Sequence, residues 1–196
     1  MGGDAAPDPE LGSRFLEAVD LTVRLHSTQV RKGTRLPYLS HLLGVCGLVL
    51  GAGGGEDQAI AALLHDAVED QGGLPTLERI RASFGDAVAQ IVSDCSDSEQ
   101  VPKPPWRARK QAYLDHLHDA SSAALMVVAA DKLDNLRAIL RDYRQLGDSL
   151  WARFDPAADQ VWYYGSVLEI LEARYPGPLT AELRSTFDAL LQLLGS

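Results

Sequence analysis

The chain has 196 residues, 46% of them hydrophobic and 23% charged, enough to bury roughly 70% of the surface its unfolded form exposes without disulfides. Its formal net charge of −9 argues against a broad nucleic-acid-binding surface, which needs clustered Lys and Arg. A small anionic ligand on a local basic patch stays open, and the acidic residues favour a divalent cation.

Residues 1–10 are small, acidic and Pro-containing. They lack the basic and apolar regions of a signal peptide and are expected to form a disordered tail. Residues 11–196 are expected to form one domain, with a motif core over 31–140 and C-terminal helices over 141–196. No stretch reaches ~18 apolar residues, so a cytoplasmic protein without a membrane partner is expected. The two cysteines, Cys46 and Cys95, make no disulfide framework and are read as inert.

The spacing of Phe15, Val19, Val23 and Leu25 predicts an amphipathic helix over Leu11–Val30. A basic loop, Arg31 to Pro37, follows, then a buried helix over Ser40–Leu50 and a glycine break at 51–55. Glu56–Asp70 reads as one helix ended by Gly72-Gly73. Thr76 is expected to cap a short helix through Phe84, and Asp86 the next, to about Cys95. A polar loop over Ser96–Pro104 leads to a helix over Trp106–Asp119, started by Pro105. Ser121 or Ser122 caps a long helix to about Leu146; Asp155-Pro156 opens another to Tyr175, and Thr180 begins the last. With no sustained period-2 alternation, the expected fold class is all-α, a single bundle of about eight to ten helices.

Three segments carry chemistry. In Ala61-Ala62-Leu63-Leu64-His65-Asp66-Ala67-Val68-Glu69-Asp70, titratable residues directly follow an apolar run, and burying charge is costly unless it is paired or bound to metal. On a continuous helix His65 and Glu69 share one face, as do Asp66 and Asp70. In Val127-Val128-Ala129-Ala130-Asp131-Lys132-Leu133-Asp134-Asn135, Asp131 likewise follows an apolar run and Asn135 lies one turn on, while Asp134 is read as facing water. His41, near the start of an apolar helix, gains interest only as a fourth member of a set with His65, Asp66 and Asp131. Two imidazoles and two carboxylates suit Mn²⁺, Fe²⁺ or Zn²⁺ without choosing sharply among them. His26, His116 and His118 form no second set, so one metal is expected. Trp151, Trp162, Tyr163 and Tyr164 are read as core residues in preference to base-stacking ones.

The ordered set of His41, His65-Asp66, Glu69-Asp70 and Asp131 resembles the HD-domain phosphohydrolases. Arg31-Lys32-Gly33 before Pro37-Tyr38, together with Phe84-Gly85 and Ala130-Asp131-Lys132-Leu133-Asp134-Asn135-Leu136, is similar to the (p)ppGpp hydrolase branch, over about residues 14–140. The resemblance implies a stand-alone enzyme that removes the 3′-pyrophosphate of a guanosine polyphosphate. It also implies one Mn²⁺ on His41, His65, Asp66 and Asp131, with Fe²⁺, Zn²⁺ or Co²⁺ as alternatives. Glu69 and Asp70 would position or deprotonate the attacking water, Arg31 would lie against guanine, Lys32 near phosphate and Asn135 near the nucleotide. The implied partner is a small-molecule nucleotide, and a homo-oligomer is compatible with the sequence. Gln71-Gly72-Gly73-Leu74-Pro75 differs from the acidic Thr-rich stretch common in that branch, and Cys95-Ser96-Asp97-Ser98 and Lys103-Pro104-Pro105-Trp106 resemble bacterial HD proteins of less settled substrate. The changed loops motivate one rival, an HD-type nucleoside 5′-monophosphate phosphohydrolase; a second, from another class, is a nucleotide-binding sensor without turnover, against which the presence of both Glu69 and Asp70 argues.

Overall fold

A computed structural model describes residues 10–97, 104–154 and 157–195. The expected N-terminal tail, most of the Ser96–Pro104 loop and the Asp155-Pro156 helix start lie outside them. The described chain is all-α. Its helices are α1 (Ser13–His26), α2 (Leu39–Gly51), α3 (Glu56–Leu64), α4 (Ala67–Asp70), α5 (Leu74–Phe84), α6 (Asp86–Cys95), α7 (Trp106–Leu117), α8 (Ser122–Leu146), α9 (Ala157–Arg174) and α10 (Pro178–Leu194), with a 3₁₀ segment over Gly147–Arg153. An isolated bridge between Val30 and Pro37 is the one extended pairing among the described residues. None of the described helices is long and apolar enough to cross a membrane.

After a polar first turn, helix α3 is apolar on every side, and Ala59 through Leu64 are all fully buried. A helix without a polar face must be central; α3 packs against α1, α2, α6 and α8. The long α8 is the second axis. It packs against α2, α3, α6, α9 and α10, and the Ser121 hydroxyl caps it by accepting the Ala124 N–H at 3.1 Å. The C-terminal end of α3 thus lies beside the middle of α8 in the core, and the polar residues following their apolar runs share one buried region.

Several local readings change. The buried face of α1 is Ala18, Leu21, Thr22 and His26, and Val23 is exposed. Thr22 serves a buried face because its hydroxyl donates to the Ala18 carbonyl at 2.7 Å. Helix α5 starts at Leu74 with Pro75 in its first turn, and α10 starts at Pro178. Thr76 and Thr180 instead donate their hydroxyls to the carbonyls of Gln71 and Tyr175. Proline fits the first helical turn because its missing N–H is not needed there, and it set both starts.

The largest change is at the site. Residues 56–70 do not form one helix: α3 stops at Leu64, His65-Asp66 form a turn, and α4 begins at Ala67. Asp66 sits at φ −95°, ψ −2°, in the bridge region common among active-site residues. No glycine or proline marks this break.

Candidate active site

His41 lies in the first turn of α2, His65 and Asp66 in the α3–α4 turn, and Asp131 in the middle of α8. The structure brings the four together. Donor atoms of His41, His65 and Asp66 lie within 4.8 Å of one another. Asp131 Oδ1 is 3.2 Å from His41 Nε2 and 3.6 Å from His65 Nε2. Asp66 Oδ2 is 3.6 and 3.1 Å from the same two nitrogens.

The orientation of each imidazole is fixed from behind. His65 Nδ1 is 2.7 Å from the Ala62 carbonyl, and His41 Nδ1 is 2.7 Å from Asp134 Oδ2. Both acceptors require Nδ1–H, which turns Nε2 with its lone pair toward the carboxylates. Both Nε2 atoms are buried without a hydrogen-bond partner, because the carboxylate oxygens approach outside hydrogen-bond geometry. Buried nitrogens left unpaired beside two carboxylates fit a divalent cation. Without one, the carboxylates act on protons. Burial opposes charging His41, but Asp131, Asp134 and Asp66 outweigh it and raise its pKa to about 9. His65 is raised against burial by Asp66 and Asp131. Burial also opposes ionisation of Asp66 and Asp131, yet the imidazoles and, for Asp131, Lys132 hold both well below the usual carboxylate range.

A further layer orients the carboxylates. The Tyr38 hydroxyl donates to Asp66 Oδ2 at 2.5 Å. Asn135 Nδ2 donates to Asp131 Oδ1 at 2.5 Å, and Lys132 Nζ reaches Asp131 Oδ2 at 2.6 Å. Arg31 donates to Asp134 Oδ2 at 2.8 Å and to Asn135 Oδ1 at 2.9 Å. Arg31 and Tyr38 are set by the basic loop, which closes on itself through Arg31 N–H to the Leu36 carbonyl and Tyr38 N–H to the Gln29 carbonyl, both 2.9 Å.

Glu69 and Asp70 end up in different surroundings. Glu69 Oε1 is 3.6 Å from Arg109 Nη1, and Arg109 is paired in turn with Asp97. Asp70 Oδ2 accepts from Gln29 Nε2 at 2.7 Å, while Gln29 Oε1 is 2.6 Å from His26 Nδ1. A cavity of about 280 Å³ adjoins the cluster. It is lined by Arg31, Lys32, Tyr38, Lys132 and Asn135 and by Tyr163 and Tyr164 of α9. Lys32 Nζ stands 5.6 Å above the Phe154 ring. Both tyrosines are buried, as a core reading expects, but they form a cavity wall as well.

Three residues passed over in the sequence belong here. Asp134 does not face water: it bonds His41 and Arg31. Its spacing of three from Asp131 was the available signal, since such residues neighbour each other on a helix. His26 is buried and stacks on Tyr38 with ring centres 5.7 Å apart. Arg109 had no local signal. His116, by contrast, is a half-exposed partner of Asp94.

An all-helical domain with a buried His and Asp cluster at the meeting of three helices defines a class, and comparison with known proteins agrees with it. The profile of the HD domain family matches residues 18–161. The guanosine-3′,5′-bis(diphosphate) 3′-pyrophosphohydrolase MESH1 of Xenopus tropicalis is 40% identical over 130 residues, covering 65% of this chain and 70% of the relative. Its Homo sapiens counterpart is 35% identical over 144 residues, covering 72% and 74%. A solved structure described as a metazoan ortholog of SpoT that hydrolyses ppGpp superposes with a TM-score of 0.75 at 26% identity, over 93% of this chain and 97% of that one. A Listeria monocytogenes structure gives 0.67 at 28% identity, over 78% and 99%. The chain therefore belongs to the HD-domain family of hydrolases, in the alarmone-hydrolase branch that holds the MESH1 proteins.

Proposed function

We propose that the protein is a Mn²⁺-dependent guanosine-3′,5′-bis(diphosphate) 3′-pyrophosphohydrolase. His41, His65, Asp66 and Asp131 would hold one ion. The observation that carries this reading is the pair of buried imidazoles whose Nδ1 atoms are engaged and whose Nε2 atoms are unpartnered, placed beside a cavity rich in Arg and Lys. The names of the relatives supply the substrate.

When bound, the divalent cation supplies Lewis acidity at a phosphoryl oxygen and makes water more acidic. The remaining steps fall to side chains. Glu69 and Asp70 hold the attacking water, and a carboxylate takes its proton as the oxygen bonds to the phosphorus that carries the 3′-oxygen. The P–O3′ bond breaks, the 3′-oxygen leaves on the nucleoside and takes up a proton, and pyrophosphate departs. Contacts from Arg109 to Glu69 and from Gln29 to Asp70 help keep the two carboxylates aimed. Arg31, Lys32 and Asn135 would bind the nucleotide, with the Arg31 plane suited to stacking on the base.

In water enriched in ¹⁸O, one label is expected in pyrophosphate and none in GDP. Label in GDP would place the attack at carbon and overturn the reading.

The hold on His41 also depends on a glycine. A Cβ built on Gly44 of α2 would meet Asp134 Oδ1 at 2.7 Å, while Oδ2 of the same carboxylate binds His41 and Arg31. Gly44→Ala is expected to displace Asp134 and weaken Mn²⁺ about tenfold, as lost outer-shell partners do, measured by competition with a metal-binding dye.

A further inference from the structure

Beyond the four-residue cluster, the cavity wall holds a corner made of donors. Lys132 of α8, Lys110 of α7 and Tyr163 of α9 all line it. The ammonium of Lys110 lies 4.8 Å and that of Lys132 5.5 Å from the centre of the Tyr163 ring, so two positive charges from different helices flank one tyrosine. Each is anchored by a single carboxylate: Lys110 by Asp97 and Lys132 by Asp131, both at 2.6 Å. Each ammonium has three N–H donors, and the anchors leave the others for a ligand. The Tyr163 residue is only 4% exposed, and its hydroxyl has no protein hydrogen-bond partner. A buried hydroxyl without a partner is uncommon and calls for a functional reason.

A corner that offers two ammonium groups around a tyrosine whose hydroxyl lacks a partner selects an acceptor-rich anion, and a phosphate has the oxygens to meet such donors. Its position says which phosphate. Lys132 touches Asp131, so the corner abuts the cluster where the reacting phosphorus would sit, whereas Arg31 reaches that cluster through Asp134 and Asn135.

We infer that Lys110, Lys132 and Tyr163 form a subsite for the terminal phosphate of a 3′-diphosphate, the one beyond the reacting phosphorus. This rests on the hydrolase reading proposed above and deepens it. The corner makes the enzyme prefer a 3′-diphosphate to a 3′-monophosphate, and it is where pyrophosphate rests before release.

The test compares guanosine 3′,5′-bis(diphosphate) with guanosine 5′-diphosphate 3′-monophosphate on the Mn²⁺-loaded protein, and measures inhibition by inorganic pyrophosphate with free Mn²⁺ held fixed. Lys110→Gln and Tyr163→Phe, neither of which touches the His41–Asp131 cluster, are each expected to lower the ratio of the two kcat/KM values at least about tenfold. Each should raise the pyrophosphate inhibition constant by a similar factor, the scale of one lost charge-assisted hydrogen bond. Mn²⁺ stoichiometry should stay at the wild-type value. Loaded, folded variants that keep both quantities within twofold of wild type would overturn the inference and leave the function standing. If wild type cleaves neither compound, the functional reading falls, and calorimetric titration with pyrophosphate then decides the corner. Binding that both variants weaken supports it; equal binding by all three proteins overturns it.

Discussion

Asp131→Ala is expected to lose metal and turnover together. Its Oδ1 is the carboxylate oxygen nearest the unpartnered nitrogen of His41, so its removal opens the α8 side of the cluster. Even outer-shell partners are worth about 10–100-fold in metal affinity, and a direct ligand should exceed that. The same deletion strands Lys132, whose ammonium is held by Asp131, and an uncompensated buried charge costs about 3–5 kcal/mol. Asp131→Asn separates the two effects. It keeps the shape and one oxygen, so the fold should survive while affinity still falls. Metal content by atomic absorption, read beside the melting temperature, checks both variants. Normal metal content in Asp131→Ala would remove Asp131 from the ligand set. His65→Ala should behave alike, since its Nε2 is equally buried and unpartnered.

Glu69→Gln should do the opposite: keep the metal and lose turnover. Glu69 lies in α4, outside the four-residue cluster, with its carboxylate 3.6 Å from Arg109 Nη1. The amide keeps the side chain's shape but cannot take a proton from water. General-base catalysis contributes about 10²–10⁴-fold, so kcat should fall within that range with Mn²⁺ content and melting temperature near wild type. Arg109 keeps its pairing with Asp97, so no buried cation is orphaned. A kcat within threefold of wild type would assign the proton transfer elsewhere, with Asp70 the next residue to test.

The four clustered residues were legible because their neighbours are apolar. His65 and Asp131 each follow a run of residues that the fold buries completely or nearly so, and a titratable side chain at the end of such a run is costly unless it has work to do. The α8 cap at Ser121 was legible for the same local kind of reason. The turn at His65-Asp66 was not: its residues have no breaker chemistry, and the deviation is set by what Asp66 faces across the core. Asp134 was misread because its burial depends on α2 passing close enough that Gly44 leaves no room for a Cβ. Lys110 and Tyr163 reach the cavity from α7 and α9, and Arg109 of α7 reaches Glu69; their distance in sequence from His65 hides any pattern. Local periodicity reports which residues are buried, whereas which of them meet is decided by helix packing.

The most direct measurement is product release by the Mn²⁺-loaded protein across guanosine 3′,5′-bis(diphosphate), GTP, GMP, AMP and deoxynucleoside monophosphates, with Asp66→Ala as the control. Pyrophosphate and GDP from the bis(diphosphate) alone, absent in the control and after chelation, is the predicted result. Phosphate from the monophosphates with the bis(diphosphate) untouched would contradict it, keeping the metal chemistry and transferring it to a different substrate.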